Sequence, residues 1–296
     1  MSINLPQHFV SQFSTRVGLL LQQQGSKLMN AMMSGTHVGK QASPLDQLGA
    51  VEAQVVTSRF APMTRIDAPV DRRWVFPTDI ELPQMIDSFD KLKMLNDPSS
   101  LYAQNAVNGL GRKIDDLIIA AFFGTAQTGE TGATATSFLA GNVVSVNTGG
   151  TASNLNVAKL RAGKKLLMSY EVDLDRDPIF CPITSNEHDS LLNEIQVIST
   201  DFNSKPVMMD GRVSSFLGIN FIHCERLTTG TDDAAGTSRA VPLYAKSGMY
   251  LGRWQDVQVD VSRRNDISGV PWQVRASASI GATRLEEKKV VKIWCR

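Results

Sequence analysis

Residues 96–124 read Asn96-Asp97-Pro98-Ser99-Ser100-Leu101-Tyr102-Ala103-Gln104-Asn105-Ala106-Val107-Asn108-Gly109-Leu110-Gly111-Arg112-Lys113-Ile114-Asp115-Asp116-Leu117-Ile118-Ile119-Ala120-Ala121-Phe122-Phe123-Gly124. Asp97 is a good N-cap, and Pro98 takes the first helical position, where an N–H would be unpaired anyway. Tyr102, Val107, Leu110, Ile114, Leu117, Ile118 and Phe122 form one apolar face, and Gly124 offers a C-cap. The stretch predicts a helix over 98–123, about 26 residues at ~1.5 Å each, hence a rod of roughly 39 Å. That is long for a compact enzyme and long enough for a spine. Gly109 and Gly111 predict a bend or a close backbone approach.

On the N-terminal side, Val51–Ile86 reads as extended. Val55-Val56-Thr57, Arg65-Ile66 and Trp74-Val75-Phe76 are strand-like, while Pro62, Pro69, Pro77 and Pro83 argue against a central sheet position. The expectation is a long, edge-like hairpin with Arg59, Arg65, Arg72 and Arg73, reaching away from the chain's own core. Charge and proline on such an edge guard against wrong pairing. Ser34–Leu48 reads as a loop. Before it, Val10, Phe13, Val17, Leu20, Leu21, Leu28 and Met32 predict a leading helix over Pro6–Met33, weakened by ~1 kcal/mol each at Gly18 and Gly25. An arm structured by a neighbouring copy and an ordinary core helix both fit that periodicity.

On the C-terminal side, Thr125–Ser153 is rich in Gly, Thr and Ala, with a strand at Asn142–Val146. A helix follows over Asn154–Tyr170, with Leu155, Leu160, Leu166 and Leu167 inward and Lys159, Arg161, Lys164 and Lys165 outward. Pro178–Ile183 is a short strand. Thr184-Ser185-Asn186-Glu187 is a capping box that opens a helix through Leu191, Leu192 and Ile195. Phe216–Cys224 reads as a strand entered through a glycine turn. Trp254, Val257, Val259 and Val261, then Trp272, Val274, Ala276, Ala278 and Ile280, alternate as strands do, and Val290, Val291, Ile293 and Trp294 end the chain. Segregated helices and strands make the fold class α+β.

The 296 residues carry 30 basic and 29 acidic side chains, for a net charge of +1. That balance lacks the basic excess of a dedicated nucleic-acid binder. Cys181, Cys224 and Cys295 are too far apart for a zinc site or a disulfide framework, and they read as small buried apolar residues of a reducing compartment. Met1–Val10 has no targeting signature. The longest apolar run, Leu117–Phe123, falls short of the ~20 residues a membrane helix needs.

Catalytic patterns are missing. Gly35-Thr36-His37-Val38-Gly39-Lys40 resembles a phosphate loop, but it is one residue short between its glycines and continues with Gln41 where Ser or Thr should stand. His8, His37, His188 and His223 share no metal-ligand spacing. Asp173, Asp175 and Asp177 lack the glycine and distal Glu of a calcium loop. No Gly-x-Ser-x-Gly elbow occurs. The reading is a chain without catalytic, cofactor or metal residues. Arg72-Arg73 and Arg263-Arg264 are the sharpest charge pairs; pairing with acids of adjacent subunits is preferred to contact with DNA phosphates.

In this order the elements resemble the tailed-bacteriophage major capsid proteins of the Hong Kong 97-type fold. The resemblance rests on the Pro- and Arg-bearing span Val51–Ile86, on Ile86-Asp87-Ser88-Phe89-Asp90, and on Asn96-Asp97-Pro98 leading through Arg112-Lys113-Ile114-Asp115-Asp116 to Gly124. It continues in Asp210-Gly211-Arg212-Val213-Ser214-Ser215-Phe216-Leu217-Gly218-Ile219, Arg263-Arg264-Asn265-Asp266, Gly281-Ala282-Thr283-Arg284 and Val290-Val291-Lys292-Ile293. It covers nearly the whole chain, and its specificity lies in the order of the pieces.

The resemblance implies an N-terminal arm (1–50), an extended hairpin or E-loop (51–90), a peripheral domain (91–152 and 262–296) with its spine helix at 98–123, and an axial domain (153–261). Hexamers and pentamers would form an icosahedral shell around double-stranded DNA contacted non-specifically, assembled in the bacterial cytoplasm and residing in the virion. Arg59, Arg65, Arg72, Arg73, Trp74, Arg263, Arg264 and Asp266 would line subunit interfaces. Replacing Arg72 and Arg73 by Glu is expected to impair assembly while leaving the subunit foldable. An arm starting almost at Met1 implies a separate scaffolding protein, beside a portal and room for a decoration protein, and no membrane partner. Residues 51–85 hold no Lys, which argues against hairpin cross-linking. The alternative on the same fold is an encapsulin-like cellular nanocompartment shell.

Overall fold

The computed structural model describes residues 21–39, 42–55, 58–59, 65–86, 99–194, 197, 211, 213–231, 237–268 and 270–296. Residues 6–20 of the leading helix, Val56-Thr57, the segment 87–90, the Asp97–Pro98 cap, Ile195, Asp210 and Arg212 lie outside them.

The predicted spine is present as α1 (Ser99–Phe123), ~37 Å long at the standard rise. Leu110, Ile114, Ile118 and Phe122 are fully buried, each burial stabilising by roughly 1.5–3 kcal/mol. Ahead of it in the chain run β1 (Met33–Thr36), β2 (Ala42–Leu48), β3 (Val70–Val75) and β4 (Thr78–Ile86). After it come β5 (Ala126–Thr128), β6 (Thr134–Thr136), β7 (Val143–Val144), α2 (Val157–Ser169), β8 (Ile179–Ile183), α3 (Ser185–Leu192), β9 (Ser215–Phe216) and β10 (Ile219–His223). The last strands are β11 (Thr229–Thr231), β12 (Thr237–Ala245), β13 (Met249–Arg263), β14 (Trp272–Arg284) and β15 (Val290–Cys295).

Three sheets organise these strands. The first has the order β1-β13-β14-β4, and α1 packs on β14 and β4. The alternation read at Val274, Ala276, Ala278 and Ile280 puts all four into the core. The second sheet runs β7-β15-β12-β8-β10-β9, with β11 paired to β12. Its β12 serves two sides: Leu243 faces Gly163 of α2, while its neighbour Tyr244 packs at a tilt against Phe122 of α1 with ring centroids 4.7 Å apart. The third sheet, β2-β3-β5-β6, is small.

Several expectations are corrected. Ser34–Leu48 is not a loop: β1 pairs in parallel with β13, and β2 pairs with β3. At Gly35 a Cβ would displace the Tyr250 hydroxyl, and Pro44 falls in the register shift between Ala42 and Leu45. The hairpin strands are therefore 42–48 and 70–75. Residues 78–86 pair along β14 instead, with Val75 and Ile86 buried, while Val51, Val55 and Ile66 between the two hairpin strands are exposed. Pro83 is tolerated because β4 is an edge strand.

Residues 21–33 are not helical beyond a 3₁₀ turn at Met29–Ala31; Gly25 adopts φ +63° and the segment lies along α1. Lys159 does not point outward. It is fully buried, and its ammonium donates to the Ser153 carbonyl at 2.5 Å and the Trp294 carbonyl at 2.9 Å. β13 joins the first sheet and β15 the second. Long-range pairing decides that membership, and local pattern does not.

Candidate subunit interface

The predicted interface residues fall into two clusters and a loop. At the hairpin root, Arg72 lies directly opposite Asp46 and grips it through two bonds of 2.6 and 3.1 Å. This pair is half-exposed, so solvent limits it to at most about 1 kcal/mol. Trp74 shares that face; its indole Nε1–H donates to the Gly129 carbonyl at 2.7 Å, and Gly132 (φ +74°) lies beneath the ring, where a Cβ would come within 2.9 Å.

The period of the strand sends Arg73 the other way, into the body. Only 5% exposed, it forms a two-bond pair with Glu287 at 2.8 and 2.5 Å. Glu287 also faces Arg284, 3.6 Å from its Nε. Arg284 is fully buried and donates from Nη1 to the carbonyls of Phe122 and Gly124, both at 2.9 Å. These are orphan acceptors at the C-terminus of α1, where a cation is favoured. Burial pushes the Arg284 guanidinium down, and Glu287 opposes that shift. Asn142 holds the turn that carries Glu287, donating to the carbonyls of Glu287 at 2.8 Å and Val290 at 3.1 Å. Gly124 is still needed, since a Cβ there would meet Ala120 O at 2.7 Å, but the capping is done by Arg284.

The second cluster sits where β13 turns into β14. Arg263 lies over the Trp272 ring, 4.5 Å from its centroid. Arg264 grips Asp266 at 2.7 and 2.5 Å and reaches Gln273 at 2.9 Å. The Arg264 guanidinium holds the Asp266 carboxyl down at about 2. Val259, Val261, Ile267 and Val270 are exposed around it. Between the hairpin strands, Arg59 is exposed and Arg65 pairs with Asp67 at 2.7 Å in full solvent.

Within the chain, Arg72 pairs with Asp46 and Arg264 with Asp266. Arg73 and Trp74 serve the hairpin root. Arg73→Glu would set two carboxylates together in a buried site, so the Arg72/Arg73 double reversal is expected to cost ~3–5 kcal/mol of subunit stability besides any effect on assembly.

Sequence reading missed Glu287, Arg284, Asp46 and Asp115. A lone arginine at the end of a buried strand, as Arg284 is, was the available signal. Asp115, buried in the middle of α1, accepts from Gln23 Nε2 at 2.5 Å, Ser26 Oγ at 2.6 Å and the backbone amides of Lys27 and Leu28 at 3.1 and 3.2 Å. It seats the N-terminal segment on the spine. The close approach expected at Gly111 is found here, since a Cβ would lie 2.3 Å from the Gly25 carbonyl carbon.

The His-bearing hollow beside Lys27 holds His188, whose Nε2 accepts from the Val213 amide at 3.2 Å, and His223, bonded to Glu225 at 2.7 Å. Both rings close loops. Among the described residues no group of three or more His, Cys, Asp or Glu could hold a metal ion, and no helix is long and apolar enough to cross a membrane.

A long spine helix packed on one sheet, a second sheet sharing its core and a hairpin at their junction make up the Hong Kong 97-type fold. The solved capsid of cyanophage P-SCSP1u superposes with a TM-score of 0.76 at 15% identity, over 98% of this chain and 94% of that one. The cyanophage Pam1 capsid gives 0.72 at 13% identity over 96% and 95%, and a structure from Mycobacterium phage Che8 gives 0.71 at 12% identity over 96% and 97%. Among curated protein sequences no relative matches. The model of the phage capsid protein family matches residues 5–296, and the chain belongs to that family. It is a structural protein of a bacteriophage shell.

Proposed function

We propose that copies of this chain assemble as hexamers and pentamers into an icosahedral head enclosing double-stranded DNA, with no catalytic step of their own. The observation that carries this is the outward part of the hairpin. Leu48, Val51, Val55, Ile66 and Val70 are all exposed there, Val55 to 87% and Val70 to 71%. Five large apolar side chains left in water along one element by their own chain are what a contact surface between copies would use. Arg59 and Arg65 between the strands, Arg72 at the root, and Arg263, Arg264 and Asp266 on the ribbon end form the proposed interface set. The first sheet with α1 would be the peripheral domain and the second sheet the axial one, with 285–296 moved to the latter.

Each contact can be weak because many repeat around the shell. A net charge of +1 suits a container whose DNA must later leave. A separate scaffolding protein, a portal and a decoration protein are the other partners this reading allows, and the bacterial cytoplasm is the assembly site it requires.

The test is imaging of the purified protein by negative stain, alone and with its scaffolding protein. Closed particles are expected, holding DNA when taken from infected cells. Arg59→Glu with Arg65→Glu should leave the melting of the free subunit within about 0.5 kcal/mol, as surface changes do, yet sharply reduce particle yield. Wild-type protein that remains monomeric under all these conditions sinks the proposal. Shells filled with a protein cargo would point to the compartment.

A further inference from the structure

We propose that Glu287 is the positioning residue that sets the direction of the hairpin on the body and couples it to the end of the spine helix. This rests on the reading of the hairpin as the contact element between copies.

Both hairpin strands grip the segment that carries Glu287. From β2, Gln47 donates to the Leu285 carbonyl at 2.7 Å; from β3, Arg73 forks onto the Glu287 carboxylate, and its Nε lies 3.4 Å from Gln47 Oε1. On the far side of that carboxylate, 3.6 Å away, stands the Nε of Arg284, which lies over the Phe138 ring and donates to the carbonyls of Phe122 and Gly124 at the end of α1. One carboxylate therefore serves two buried guanidiniums, one on the hairpin and one on the spine.

The apolar contact at the same junction is slight. Val75, Tyr250 and Leu285, with Trp254 against them, form a small cluster separate from the main core. With so little buried apolar area to fix the angle, directional charge-assisted bonds fix it instead. Taking the charge from Glu287 leaves two guanidiniums in a buried site without a counter-ion, so the root loosens rather than repacks.

Hydrogen exchange on unassembled subunits tests this, comparing wild type, Glu287→Gln and Glu287→Asp. In Glu287→Gln, amides of 42–48 and 70–75 should exchange at least about tenfold faster, as in a local opening that has lost a charge-assisted bond. Those of 179–183 and 237–245 should not change, and particle yield should fall. Glu287→Asp, which keeps the charge, should restore part of both. Unchanged hairpin exchange overturns the inference. So does acceleration spread evenly through the second sheet, the mark of a residue that merely stabilises the fold, and so does normal assembly despite a loosened hairpin. If Glu287→Gln fails to fold, Arg73→Lys, which keeps a cation but loses the two-bond fork, is measured against the same outcomes. Because exchange is read on free subunits, a wild type that forms no shells would sink the capsid reading without altering this result.

Discussion

Arg264 and Asp266 are two residues apart on an exposed turn, and their pairing shows how far a surface contact can be read. The carboxyl is held at about 2, below the usual ~3.9 of an aspartate. A carboxyl lowered on folding contributes to stability above the unfolded value and loses that contribution as pH falls through the folded one. The turn should thus keep its form through mild acid and lose this contact only near pH 2. Carbonyl NMR of Asp266 measures it, and Arg264→Ala should return the midpoint to the ordinary range; an unshifted midpoint in the wild type would dismiss the pair. Inside the molecule, burial pushes the Cys295 thiol up to about 12 and raises Cys181 well above the usual thiol range. Both should resist alkylation in the native subunit and react once it is unfolded, as followed by mass spectrometry. Prompt native labelling would show that the second sheet opens readily.

At the scale of elements, the spine was the clearest reading because its period, length and lack of internal proline all agree. Its packing depends on a glycine that periodicity leaves ambiguous. Gly111→Ala should push residues 22–28 off α1, removing the amides of Lys27 and Leu28 from the buried Asp115 carboxylate. A stranded buried carboxylate and its orphaned donors make ~2–4 kcal/mol a reasonable loss. Thermal melting gives that loss, and limited proteolysis after Lys27 shows the release. Retained protease resistance would mean the segment is held elsewhere. Sequence pattern places the hairpin too late in the chain because Pro44 and Gly35 look like loop punctuation, whereas edge position and a register shift accommodate both. The capping box at Thr184 needed no such help: the Glu187 carboxylate accepts from the Thr184 amide at 2.9 Å, as that local spacing predicts.

For the whole molecule, one main hydrophobic core runs through α1, α2, the first sheet and the second. The free subunit should therefore unfold in a single calorimetric transition, with calorimetric and van't Hoff enthalpies agreeing; two resolved transitions would show that the sheets are energetically separate. The hairpin stands outside that core, so its opening should be visible by exchange well below the melting temperature. This division fits a shell subunit, in which a cooperative body carries an element that finds its full burial against other copies.

The sequence by itself determined the spine helix, the alternation of the closing strands and the capped helix after β8, all of which rest on interactions between residues a few positions apart; the capsid fold was legible in it only through resemblance to a family. Only the tertiary structure decided that Lys159 is buried, that Arg73 turns inward while Arg72 and Trp74 do not, and that β13 and β15 part company. It alone brought Arg73, Glu287, Arg284 and the end of α1 to one point. The reason is distance along the chain: Arg73 and Glu287 are separated by 214 positions. Propensity and periodicity carry no information over such a span, and only the packing of whole elements determines which charges meet.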